Sequence, residues 1–268
     1  MRYVVVPQWQ GSASDRAMSL ADGAEAIAGD LPAGATTRID VPLEAGDAEG
    51  SGILRHSSLR LVRERFARTL EGTDDPVVVI GGDASVSIPA IRRAAALHPE
   101  LTVVWFDAHP AALDVATSES AAFSGMAARA LVDDEVIPAA RLVLAGTRAW
   151  IDDETAWVTE VGVTSLDPTE LPRLADVVPG GGAVFLHIGL DVLDPSVIES
   201  VSTLEPFGVE LDALLEAVRS LIADHEFAGG SITGFAPRTP GAAADELPAI
   251  LRILAALRPP AMPAGTSG

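Results

Sequence analysis

Eight short apolar runs alternate along the chain with longer amphipathic segments, and this alternation limits the fold more than any other feature. The runs lie at residues 3–6, 37–41, 77–80, 102–106, 142–145, 160–166, 184–190 and 232–235. Several are apolar at nearly every position, which predicts strands covered on both faces, as in a parallel sheet. Between them, residues 57–70 place Leu59, Val62, Phe66 and Leu70 on one side of a helix and Arg60, Arg63, Glu64 and Arg68 on the other. Residues 211–222 and 246–257 repeat the pattern, and a further helix runs from Ser85 through Ile91, Ala94 and Leu97. This order predicts an α/β fold: a three-layer α-β-α arrangement around a mostly parallel sheet of roughly eight strands.

A chain of 268 residues, 48% hydrophobic and 21% charged, has enough apolar side chain for one large core. No repeat or linker interrupts it, and Gly180-Gly181-Gly182 reads as a turn. One domain is expected over 1–258, followed by a flexible Pro/Ala/Gly/Ser-rich tail at 259–268. The net charge of −20 argues against nucleic acid and anionic membranes as partners, since both are held by clustered Lys and Arg. There is no cysteine, so disulfides, thiolate metal sites and cysteine nucleophiles are excluded. The first residues carry no long apolar stretch of the leader type, and a cytoplasmic location is expected.

Ligands of open parallel sheets bind beyond the carboxyl ends of the strands. Three runs end there in polar turn residues: Gly81-Gly82-Asp83-Ala84-Ser85, Asp107-Ala108-His109-Pro110 and Asp191-Val192-Leu193-Asp194-Pro195. Carboxylates and an imidazole converging at one edge suit a Mn²⁺-like ion.

In order and spacing, these segments resemble the arginase–agmatinase–formimidoylglutamase (ureohydrolase) family. That family shows Gly-Gly-Asp-His-Ser, then Asp-Ala-His-x-Asp, then Asp-x-Asp-x-x-Asp-Pro. Phe123-Ser124-Gly125-Met126, Glu205-Pro206-Phe207-Gly208 and Gly234-Phe235-Ala236-Pro237 resemble further family segments. The resemblance implies a hydrolase site with two manganese ions on six side chains, acting on a small guanidino compound. It also implies a homo-oligomer. Carried over by position, Asp107, His109 and Asp191 match ligands, whereas Ala84, Ala111 and Gly189 stand where the family has a His, an Asp and a bridging Asp. Gly234 stands where the family has a Glu that holds the substrate guanidinium. The pattern therefore implies that one ion is lost and that manganese is bound weakly, as at most one ion, or not at all.

Three readings follow: a ureohydrolase relative with little or no guanidino hydrolase activity, a one-metal hydrolase of a guanidino or amidino compound, or metal-free chemistry on another substrate. No Ser-His-Asp set is evident in the sequence. Asp83 and Asp194 read as turn-holding residues, His187 as a satisfied interior histidine, His56, His98 and His225 as surface residues, and Trp9 as a packing residue beside the cleft. Asp114 and Glu119 are weighed as substitute ligands, although their spacing departs from the family pattern.

Overall fold

The computed structural model describes residues 1–259. Eight strands form one sheet: β1 (Arg2–Val6), β2 (Thr36–Arg38), β3 (Val77–Gly81), β4 (Thr102–Phe106), β5 (Leu142–Ala145), β6 (Thr164–Leu166), β7 (Ala183–Gly189) and β8 (Glu226–Thr233). Their spatial order is β2-β1-β3-β8-β7-β4-β5-β6, and every pairing is parallel. The expected three-layer fold is the one observed. The expected tail lies, beyond residue 259, outside the described residues.

Both faces are covered because the strands alternate two apolar sets. Tyr3, Val5, Val78, Ile80, Val104, Phe106, Leu186 and Ile188 pack into one core, beneath α1 (Ser19–Ala28), α7 (Leu211–Asp224) and α8 (Pro240–Ala256). Val4, Val6, Val77, Val79, Val103, Trp105 and Phe185 pack into the other, beneath α2 (His56–Thr69), α3 (Ile88–Leu97), α4 (Ala127–Asp133) and α5 (Asp152–Val161). A short α6 (Leu174–Val177) follows β6. Each fully buried Val, Leu, Ile or Phe contributes about 1.5–3 kcal/mol, so the two cores supply the main driving force. Among the described residues no helix is long and apolar enough to cross a membrane.

Three strands depart from the sequence expectation. The run at 37–41 is strand only as far as Arg38. The run at 160–166 is helix as far as Val161; Gly162, at φ +74°, ends α5, and only Thr164–Leu166 pairs. The last strand begins at Glu226 rather than 232, because Gly229-Gly230 reads as a break yet here lies inside a central strand. Gly229 has φ +151°, and a Cβ on it would sit 2.7 Å from Val77 O. The irregular register between Val184 and Phe185 occurs at this point.

The strand order creates the site. β3, β8, β7 and β4 are neighbours in space though distant in sequence. Their carboxyl ends bring the turns after Gly81, Thr233, Gly189 and Phe106 to one edge, where helices cannot cover them.

Candidate active site

A cavity of about 640 Å³ opens at this edge and includes Asp107, His109, Asp191, Ala84, Ala111 and Gly189 in its lining. The three positions with donors and the three without therefore face one cavity. Gly234 and Glu154 also line it. Asp114 and Glu119 do not. Asp114 instead closes its own turn through Ala116 N and Thr117 N, at 2.9 Å each, and pairs with Arg129 at 2.7 Å.

Asp107 follows β4 directly. Its Oδ1 accepts a hydrogen bond from the backbone N–H of His109 at 2.8 Å, the short-range turn that an Asp side chain makes two residues on. The turn folds the His109 ring back between two carboxylates: Nδ1 lies 3.0 Å from Asp191 Oδ2 and 3.7 Å from Asp107 Oδ1. On the far side of the ring, Nε2 lies 3.5 Å from Glu205 Oε1. One donor atom from each of Asp107, His109 and Asp191 falls within 4.8 Å of the others, a spacing that one metal ion could bridge.

The charges follow from this crowding. Burial lowers the affinity of His109 for its proton, but Asp107 and Asp191 outweigh it and push its pKa up to about 11. Burial, then the Asp107 charge, pushes Asp191 up to about 6. Burial acts on Asp107 too, yet contacts with His109 and His187 hold it well below the usual carboxylate range. The two aspartates therefore favour the protonated, imidazolium form of His109.

Ala111 and Gly234 have left-handed backbones, whereas Gly189 is extended at φ −75°. Ala111 is buried at φ +50°, in the left-handed region where Asp and Asn are tolerated better than Ala. Its carbonyl is held there by Ala128 N and Arg129 N, both at 3.1 Å. At Gly189 a Cβ would lie 3.0 Å from Asp191 Oδ1 and 3.0 Å from Asp107 Cγ, and closer still to Asp107 Oδ2. The Asp107 carboxylate therefore occupies the space a side chain at 189 would need. Gly234 has φ +88° and nearly open space around its Cβ direction. Asp83 lines the cavity but is engaged elsewhere: it accepts from Gln8 Nε2 at 3.0 Å, Gly11 N at 2.9 Å and Ser85 N at 3.0 Å. Asp194 likewise caps its own turn through Ser196 N at 3.0 Å and Gly208 N at 3.1 Å.

Three features were not legible from motifs. Glu154 reads as an acidic residue in the first turn of α5, yet its Oε1 accepts from Ala112 N at 3.2 Å and burial raises its pKa. Arg148 reads as an ordinary loop charge. In the structure it donates to the carbonyls of Gly146, Asp191, Val192, Leu193, Glu205 and Pro206, clamping the segment after β7 to the loop that carries Glu205. Arg148→Met should cost at least about 2 kcal/mol, because several buried carbonyls lose a charged donor together. Denaturant unfolding would register the loss, and proteolysis should then cut first within 201–209; unchanged stability would refute the clamp.

The third is His187. It is fully buried, with its ring stacked on Trp105 at 3.6 Å between centroids. Its Nδ1 lies 2.9 Å from both Ser87 Oγ and Ser231 Oγ. Its Nε2 has no hydrogen-bond partner and faces Asp107 Oδ2 at 3.8 Å, so the expectation of a satisfied histidine is only half met. Ser231, His187 and Asp107 thus lie side by side, but both serines are 0% exposed and no substrate reaches them. His56, His98 and His225 are half-buried rather than at the open surface. Trp9 is half-buried beneath the Arg55 guanidinium, 4.7 Å from its ring centroid, and does not line the cavity.

A sequence profile described as "Arginase family" matches residues 19–247. Agmatinase of Bacillus cereus is 27% identical over 181 residues, covering 67% of this chain and 59% of that protein. Formimidoylglutamase of Bacillus subtilis is 27% identical over 173 residues, covering 60% and 53% respectively. The matches thus span less than two thirds of the length of these curated relatives. Among solved structures, native arginase from Bacillus caldovelox superposes with a TM-score of 0.83 at 18% identity, covering 97% of this chain and 99% of that one. Entamoeba histolytica arginase in complex with L-ornithine gives 0.81 at 18% identity, covering 96% and 97%.

Proposed function

The chain belongs to the arginase family, and from that premise we propose that it is a ureohydrolase-fold protein with an incomplete dinuclear site, which hydrolyses guanidino compounds weakly or not at all. The observation that carries this reading is that Ala84, Ala111 and Gly189 line the same cavity as Asp107, His109 and Asp191. Methyl groups and hydrogens offer no lone pair, so the first of two ions would keep Asp107 as its only ligand there. The donor set does not fit that ion. It does fit one ion at Asp107, His109 Nδ1 and Asp191.

A bound Mn²⁺ would supply water whose pKa falls from ~15.7 towards ~7. The chain's own contribution is to hold three donors in place. Asp107 is locked by its turn to His109 N, His109 is set between the two aspartates, and Asp191 is fixed by the Arg148 clamp on its carbonyl. With three donors present, a one-metal hydrolase of a guanidino or amidino compound is the second reading. The cavity lining contains five acidic side chains and no arginine, and the chain has no lysine, which favours a small cationic ligand. A single domain over 1–258 that self-associates belongs to the same reading, to be checked by light scattering.

The test pairs metal content of protein made in manganese-supplemented cells with urea release from arginine, agmatine and related compounds. We expect at most one Mn²⁺ per chain. Turnover should fall more than ~100-fold below that of Bacillus cereus agmatinase assayed alongside, since even outer-shell losses cost about 10–100-fold. Two ions per chain, or turnover near the comparison enzyme's, would sink the proposal. Strong urea release with one ion, abolished by Asp107→Ala, would establish the second reading instead.

A further inference from the structure

His187 sits in the sheet one row below the cavity floor. It is in register with Trp105 on β4 and with Ser231 on β8, while Gly189, two residues on and on the same face, is in register with Thr233. Strand residues two apart share a face, so the His187 ring stands on the side of the sheet where a side chain at 189 would stand.

Two serine hydroxyls, Ser87 Oγ and Ser231 Oγ, lie 2.9 Å from Nδ1, and each can donate to it or accept from it. The carboxylate on the other side of the ring decides between the tautomers: Asp107 Oδ2, 3.8 Å from Nε2, favours the one with its proton on Nε2. The opposite tautomer would aim a bare lone pair at a carboxylate inside the protein, which is costly. The ring cannot turn away, because it is stacked on Trp105 with 19° between planes.

Asp107 presents the matching half. Its Oδ1 is taken by His109 N at 2.8 Å. Its Oδ2 lies over Gly189, and the partner recorded for it there is His187 Nε2, at 3.8 Å. That distance is too long for a hydrogen bond. It is short enough for strong attraction between an N–H dipole and a carboxylate in a low-dielectric interior. Thr233 Oγ1, beside the same gap, is also buried without a partner.

We infer that His187 is a positioning residue: its Nε2–H draws Asp107 Oδ2 across the bare Gly189 and holds the carboxylate in place without a first-site cation. Gly189 and His187 then act as a pair. The glycine leaves the gap open, and the histidine N–H supplies from below the positive charge density that attracts Asp107. The inference deepens the one-ion reading above, but its first test needs no ion.

The test begins with ¹⁵N-labelled, metal-free protein. Long-range ¹H–¹⁵N spectra of the histidine rings, assigned with His187→Phe, should show His187 neutral with its proton on Nε2. A proton on Nδ1 overturns the inference, and this readout stands even if a variant fails to fold. Crystal structures follow. His187→Phe keeps the stack on Trp105 but has no N–H, so Asp107 should leave its place over Gly189. His187→Gln restores a donor and should return it. An Asp107 that stays in place in His187→Phe overturns the assignment. If the wild type binds one Mn²⁺, His187→Phe should weaken it about 10-fold or more and His187→Gln should rescue it; equal affinity in all three also overturns it. If the wild type binds no ion, the one-ion reading fails while the ring spectrum still decides this one.

Discussion

Affinity for Mn²⁺ is expected to fall about tenfold for every unit the pH is lowered between roughly 10 and 7, because each ion bound must displace one proton. That proton belongs to His109, whose pKa is raised to about 11 by the two aspartates that would share the ion with it. Only the neutral ring can ligate, so the metal competes with a proton held far more tightly than on a free imidazole. Below about pH 6 Asp191 also protonates, and the slope should steepen towards two protons per ion. Calorimetry in buffers of differing ionisation heat would count the protons directly. An affinity independent of pH between 7 and 9 would remove His109 from the ligand set. Stability of the metal-free chain should run the other way. The raised His109 pKa contributes stability in full below ~6.5, the unfolded value, and that contribution disappears as the pH rises through about 11. The lowered pKa of Asp107 contributes stability above the ordinary carboxylate range and loses it as acid titrates the folded group. Metal-free protein should therefore be most stable at mildly acidic pH, where metal binding is already weak.

Restoring Ala84→His, Ala111→Asp and Gly189→Asp together is expected to bring two Mn²⁺ ions per chain and to raise urea release more than ~100-fold, since first-shell groups return where outer-shell losses alone cost about 10–100-fold. The single change Gly189→Asp should do the reverse. Its Cβ would press on Asp107 and Asp191, and a third carboxylate would enter a partly buried cluster with one imidazolium to offset it. We expect a loss on the order of 3 kcal/mol in metal-free protein at pH 8, the scale for an uncompensated buried charge. Added Mn²⁺ should rescue the triple variant and not the single one. A triple variant that still takes up one ion at saturating manganese would show that the missing side chains are not the defect.

The fold was legible because its signals are local and repeated. Runs such as residues 77–80 and 103–106 are apolar at every position, and only burial on both faces explains that. Strand ends were less legible where glycine misleads, as at Gly229, whose job is to let Val77 O approach. The convergence of Asp107, His109 and Asp191 was legible because each directly follows or nearly follows a strand end, and parallel strands deliver their ends to one edge. Arg148 and Glu205 were not, because their partners are carbonyls and ring atoms more than forty residues away in sequence. His187 read as interior, which it is. No one-dimensional pattern could reveal that one of its nitrogens is left facing Asp107.

The main chain at Ala111 has a consequence for how such a site is lost and regained. A left-handed alanine costs roughly 1–2 kcal/mol, yet two amide donors from α4 still hold that bend in shape. On the function proposed above, the loop has kept a curvature suited to an aspartate at this position. Return to a working centre would then be a matter of a few codons, with no loop to rebuild.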